Sequence, residues 1–95
     1  MAKKFPPKDP DEVLDYQIEW SDRLTNEAIQ SSLWLIVETD GALVQDTATI
    51  DDTRTTVWLS GGTIGQTYLL TNRITTDSSP NRVMDQSVRI TIKAK

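Results

Sequence analysis

Carboxylates are the first candidates for chemistry in this 95-residue chain: Asp9, Asp11, Glu12 and Asp15 crowd one segment and Asp51-Asp52 adjoin another. Such oxygens suit calcium, but an EF-hand loop needs glycine at its sixth position and glutamate at its twelfth, and neither is present. Paired carboxylates also hydrolyse glycosidic bonds, but they need a cleft that holds the sugar between them. A short acidic chain supplies no evident cleft, and surface solvation accounts for these acids better. Gly61, Gly62 and Gly65 have the composition of a phosphate cradle. A Walker loop, however, continues into Lys and then Ser or Thr at a helix start, whereas this loop has no Lys and leads into a strand. The chain has no histidine and no cysteine. That removes Ser-His-Asp and Cys-His nucleophile pairs, the usual zinc ligand sets, haem ligation through histidine and disulfides. No catalytic residue, metal site or cofactor site is expected, and a small binding or structural module is.

Three tryptophans carry the largest contact areas, and each wants an acceptor for its indole N–H. Trp20 continues the inward phase of the first strand and Trp34 lies in the most apolar run, so both are expected in the core. Trp58 is opposite in phase to Val57 and Leu59. Facing outward, it would mark an interface or a sugar-stacking platform. Asn72 shares its phase with Tyr68, Leu70 and Ile74; a buried amide is costly unless bonded, so it is expected to pin a neighbouring loop or strand. Arg73 and Thr75 fall on the other face of the same strand. Arg73 is distant in sequence from carboxylates and is the better candidate for contact with a partner. Trp58, Arg73, Thr75 and Arg82 together form the expected partner interface.

The elements that must position these residues are strands. Leu14, Tyr16, Ile18 and Trp20 alternate with polar residues across Val13 to Trp20, which is the period of a half-buried strand. Residues 21–27 make a polar connection with room for one helical turn. A second strand runs from about Ile29 to Val37; Leu33 to Val37 is apolar at every position, which reads as a central strand covered on both faces at one end. Thr39-Asp-Gly41 signals a turn. Leu43 to Ile50 is a Thr-rich, weakly alternating third strand, Thr55 to Leu59 a fourth, Thr67 to Thr76 a fifth and Ser87 to Lys93 a last. Glycine is concentrated in the loop 60–65, where positive φ or close backbone approach is needed. Short strands with Gly, Asp and Pro between them predict an all-β fold: an antiparallel sandwich of the immunoglobulin or fibronectin III kind, with about six or seven strands. Gly65-Gln-Thr-Tyr68 resembles the tyrosine corner of those sandwiches. An OB-type or SH3-like barrel is the alternative, disfavoured because its glycines recur around the barrel.

The net charge of −4 argues against nucleic acid as a partner, because neutralising phosphates takes a clustered basic face. Residues 1–52 carry −8 and residues 53–95 carry +4. Such a chain either places opposite charges on two ends of the domain, which suits head-to-tail stacking of copies, or interleaves its halves so that the charges mix. The basic start is not followed by an apolar run, so no secretory signal is expected, and no stretch approaches the ~20 apolar residues of a membrane span. Absence of cysteine fits synthesis in a reducing cytoplasm. Residues 1–10 read as a flexible Pro-rich arm, since Pro6, Pro7 and Pro10 each fix φ and remove a donor, and residues 11–95 as one domain.

Several stretches together resemble one family. They are Asp11-Glu-Val-Leu-Asp-Tyr16 through Trp20-Ser21, Ile29-Gln-Ser-Ser-Leu-Trp34, Thr56-Val-Trp-Leu-Ser-Gly-Gly62, Gly65-Gln-Thr-Tyr68 and Leu70-Thr-Asn-Arg-Ile-Thr-Thr76. These resemble the small fibre-tail adaptor proteins of bacteriophages and prophages. The most specific element is Thr-Asn-Arg-Ile-Thr-Thr following Trp-Leu-Ser-Gly-Gly. Ser79-Pro-Asn-Arg82 and Asp85-Gln-Ser87 depart from the Gly-Arg turn and the Asp/Glu-Arg-Ser stretch common in the family. The resemblance implies an Ig-like sandwich in a virion assembled in the host cytoplasm, and a non-enzymatic role as tail or head-tail adaptor. Its implied partners are other tail or head-tail proteins, not a small-molecule substrate or a membrane. A carbohydrate or host-surface binding module, suggested by the tryptophans, is the alternative.

Overall fold

The computed structural model describes residues 3–37 and 41–95. The chain forms seven strands, with period-two burial clearest in β2, β5 and β6: β1 (Lys3–Lys4), β2 (Leu14–Glu19), β3 (Ile29–Val37), β4 (Leu43–Ile50), β5 (Arg54–Gly61), β6 (Thr67–Thr76) and β7 (Val83–Thr91). The polar connection after β2 holds one 3-10 turn, Ser21–Arg23. The turn expected at residues 39–41 lies, except for Gly41, outside the described residues. One sheet has the order β1-β7-β6-β3 and the other β2-β5-β4. The pairings among β2 to β7 are all antiparallel; β1 alone runs parallel to its neighbour.

The two sheets share one core. On β6, Tyr68, Leu70, Asn72, Ile74 and Thr76 face in, while Thr67 and Arg73 are exposed. On β5, Thr55, Val57 and Leu59 face in and Trp58 faces out. Trp20 and Trp34 are 1% and 3% exposed and close the core, as the phase of the first and the apolar run around the second predict. Full burial of each large apolar side chain contributes roughly 1.5–3 kcal/mol, and it requires both sheets, because either sheet alone leaves its inner face in water.

The buried Asn72 amide sits between the two sheets, and it is saturated. Asn72 Oδ1 accepts from Trp20 Nε1 at 3.0 Å and from the Thr55 hydroxyl at 2.6 Å. Its Nδ2 donates to Ser32 Oγ at 2.8 Å and to the Leu33 carbonyl at 3.2 Å. The amide therefore links β6 to β3 beside it and to Trp20 and β5 across the interlayer, as its inward phase requires. The loop after β5 shows why glycine is needed there. Gly61 has φ +73° and its Cβ position falls on the Ala42 carbonyl oxygen; Gly62 has φ +102°, and a Cβ there would lie 2.7 Å from Ile92 Cγ1. Beyond them the Tyr68 hydroxyl accepts from the Thr63 N–H at 3.0 Å, the upstream backbone bond that Gly65-Gln-Thr-Tyr68 suggests.

Two strand expectations need correction. β3 is not central: it pairs only with β6 and forms an edge of its sheet. Leu33 and Leu35 are 51% and 39% exposed on the outer face, so the apolar run is covered on one side only. The last strand starts at Val83 rather than Ser87, because β6 continues to Thr76 and its register carries pairing back through Arg73↔Asp85 to Thr75↔Val83.

Residues 3–8, read from sequence as the arm, lie along β7. Phe5 N–H bonds the Arg89 carbonyl at 2.9 Å, Lys8 N–H bonds the Thr91 carbonyl at 3.0 Å, and the Phe5 ring stacks on Tyr16 with centroids 4.6 Å apart. Lys8 is fully buried, and its Nζ donates to the Gly61 carbonyl at 2.7 Å and the Asp9 carbonyl at 2.9 Å. Burial lowers its pKa, opposed chiefly by the nearby Glu12 and Asp9 charges.

Candidate binding surfaces

The acidic segment proves to be local architecture. Asp9 Oδ1 accepts the Asp11 N–H at 2.8 Å and Oδ2 the Lys95 N–H at 2.9 Å; both bonds hold its pKa below the usual carboxylate range. Glu12 accepts the Asp9 N–H at 2.9 Å and pairs with Lys95 Nζ at 3.1 Å, and its pKa is lowered for the same reasons. These carboxylates close a turn and tether residue 95 beside the arm. Among the described residues no group of three or more His, Cys, Asp or Glu side chains is arranged to hold a metal ion. The hollows in the surface are open to solvent. One of about 430 Å³ includes Phe5, Pro7 and Arg89, and one of about 470 Å³ includes Phe5, Tyr16 and Gln17, on either side of the arm.

The four residues expected at a partner interface divide between two faces. Trp58 lies on the outer face of the β2-β5-β4 sheet and is 40% exposed. Asp15 pairs with it in register on β2, and the irregularity of β4 between Gln45 and Ala48 lies opposite it on the other flank. An exposed indole beside a carboxylate offers a flat apolar contact with a cation-attracting rim. Arg73 and Thr75 sit on the outer face of β6, in the other sheet. Arg73 is not unpartnered, as its place in the sequence suggests. Register places Asp85 directly across, with Arg73 Nε at 2.8 Å and a second nitrogen at 3.1 Å from its two oxygens. This bidentate bond raises the Arg73 pKa and lowers that of Asp85. Arg82 lies in the loop between β6 and β7, where it pairs with Glu27 at 2.9 Å. Glu27 is held below the usual range by the Thr25 N–H and then by the Arg82 charge.

Around the Arg73–Asp85 pair, which Arg23 joins by donating to the Asp85 carbonyl at 2.8 Å, the outer face of the larger sheet carries hydroxyl pairs and leucines, with Arg89 exposed farther along β7. Thr67 bonds Thr91 and Thr71 bonds Ser87, each at 3.0 Å, and Leu33 and Leu35 flank them on β3. Sequence reasoning missed these two leucines as surface residues. Their signal was present in the absence of charge from Ile29 to Val37, which fits a covered strand and an open edge equally well. The Trp34 indole N–H on the same strand is buried without an acceptor.

Chemically these faces can grip a surface through apolar, hydroxyl and guanidinium contacts. Comparison with known proteins identifies a family. Residues 8–91 match the model of the family described as podophage GP4 fiber-tail adaptor protein gp77. The match begins at Lys8, where the arm enters the core, and runs to the end of β7. No match was found among curated proteins.

Proposed function

The chain belongs to the podophage GP4 fiber-tail adaptor family, and on that premise we propose that it is a non-enzymatic structural part of a virion tail that binds neighbouring tail or head-tail proteins. The observation that carries this reading is the extent of the match, which takes in β2 to β7 and the connections between them. The order β2-β5-β4 facing β7-β6-β3, with the Tyr68 hydroxyl bonded back to Thr63, supports an immunoglobulin-type sandwich as its scaffold. Such scaffolds fix rigid faces, and function then resides in the groups they present. Here those are Trp58 on one face and Arg73, Thr75 and Arg82 on and beside the other. Among the described residues no helix is long and apolar enough to cross a membrane.

Mass spectrometry of purified virions, or of particles from an induced lysogen, tests the proposal. The chain is expected in the particles, and particles assembled without it overturn the role. In complementation, Trp58→Ala and Arg73→Ala are expected to fold normally and to be incorporated less well, since both side chains lie on the surface. The exposed Trp58 also fits stacking against a sugar ring. A glycan-array signal abolished by Trp58→Ala would favour that second reading.

A further inference from the structure

The two sheets have open edges, and they are not alike. An unpaired edge presents backbone donors and acceptors to any other strand, and soluble proteins blunt it with proline, charge or bulges. β1 is followed by Pro6-Pro7. β2 carries Asp15 and Glu19. β4 is interrupted between Gln45 and Ala48, where Asp46 lies. β3 has a register shift between Ile29 and Ser31, where the Ile29 N–H is bonded to the Asp52 carbonyl at 2.9 Å, but from Ser31 to Val37 it has none of these devices. Ile29 to Val37 contains no charge and no proline, its register against β6 is regular from Ser31 to Val37, and Leu33 and Leu35 project outward at 51% and 39% exposure.

We propose that the free edge of β3 pairs antiparallel with β3 of a second copy of this chain, joining the two four-stranded sheets edge to edge into one continuous sheet. Charge selects the occupant. A strand without charge offers nothing to attract a charged foreign strand, whereas pairing with itself places every residue opposite an uncharged one. With the two-fold axis at Trp34, Leu33 of each copy faces Leu35 of the other, gathering four leucines on one face. The arrangement is isologous and closes at two copies, so it does not propagate into a fibre. Seven residues span roughly 23 Å at ~3.3 Å each, which makes a small interface. Such a single-strand seam is smaller than the roughly 800 Å² per partner of a standard complex, so the dimer is expected to be weak and to depend on concentration.

Sedimentation velocity on the purified full chain from about 5 to about 500 µM tests this. Wild type is expected to pass from monomer to dimer. Leu33→Lys and Leu35→Lys, both at exposed positions, are each expected to weaken the dimer at least tenfold while leaving the melting temperature of the monomer unchanged. Hydrogen exchange supplies the location: amides within residues 31–36 slow on concentration in wild type and do not in the lysine variants. A chain monomeric throughout, or a dimer indifferent to both lysines, overturns the proposal. So does protection of β3 that arises only when another virion protein is added, which would make the occupant a foreign strand. The assay uses the isolated chain, so its failure leaves the virion role untouched.

Discussion

Asn72 is the residue at which the polar and apolar demands of the core meet. Four groups bond to its amide, from Trp20, Thr55, Ser32 and Leu33, and all lie on elements that the hydrophobic core alone would hold less specifically. Each buried partner left unmatched costs roughly 1–3 kcal/mol, partly offset because Trp20 Nε1 keeps Thr55 Oγ1 at 3.3 Å. Asn72→Ala is therefore expected to lower stability by roughly 2–4 kcal/mol, and Thr55→Val by about 1 kcal/mol. Urea unfolding followed by tryptophan fluorescence measures both. A loss below about 0.5 kcal/mol for Asn72→Ala would mean that the network adds specificity without stability. The inward place of Asn72 was legible, because phase along one strand is a local property. The partner of Arg73 was not, because only the register between β6 and β7 brings Asp85 to it. The buried Lys8 was illegible for a related reason: a lysine among prolines signals solvent until a carbonyl on β5 is placed beside it.

At the scale of elements, the turn between β5 and β6 is where backbone conformation is most tightly prescribed. Gly61 combines positive φ with the Ala42 carbonyl oxygen at its Cβ position, and its own carbonyl receives the Lys8 ammonium. Gly65 also has positive φ, but its Cβ position is open. Gly65→Ala is thus expected to cost only left-handed strain, about 1 kcal/mol, and Gly61→Ala roughly 2–4 kcal/mol, because the end of β5 must also shift away from β4 and from the arm. Thermal unfolding of the two variants side by side is the check, and equal losses would show that the close approach relaxes freely. The strands were legible wherever one face is buried and the other wet, as in β2, β5 and β6. β3 misled because an unbroken apolar run has no period, so composition could not distinguish a strand covered on both faces from an edge strand with leucines in solvent. β7 was read short because Val83 to Ser87 lacks an alternating apolar face, Asp85 and Ser87 instead bonding Arg73 and Thr71 across the ladder.

Across the whole molecule, antiparallel pairing undoes the charge asymmetry of the chain. β2 from the acidic half lies against β5 from the basic half, and Arg54–Glu19, Arg82–Glu27 and Lys95–Glu12 each join the two halves. The charges mix, so they do not define two opposite ends; what remains is a set of carboxylates held ionised by their neighbours. Asp9, Glu12 and Glu27 accept backbone N–H bonds, Glu19 accepts from the Thr53 hydroxyl and Arg54, and Asp85 is held by Arg73. All five have folded pKa values below the ordinary carboxylate range, which lies near 4 for the unfolded chain. The unfolded state therefore binds more protons between those values, and stability rises with pH in that window. The contribution is fully present above about pH 5 and is lost as pH falls through about 4 toward the folded values. Melting temperature measured from neutral pH downward is expected to hold steady to about pH 5 and then fall. Asp85→Asn should make that fall shallower, since one titrating group is removed, and should leave Arg73 without its charged partner. A melting temperature unchanged to pH 3 would mean that these bonds persist equally in the unfolded chain, and the stabilising role assigned to the five carboxylates would have to be withdrawn.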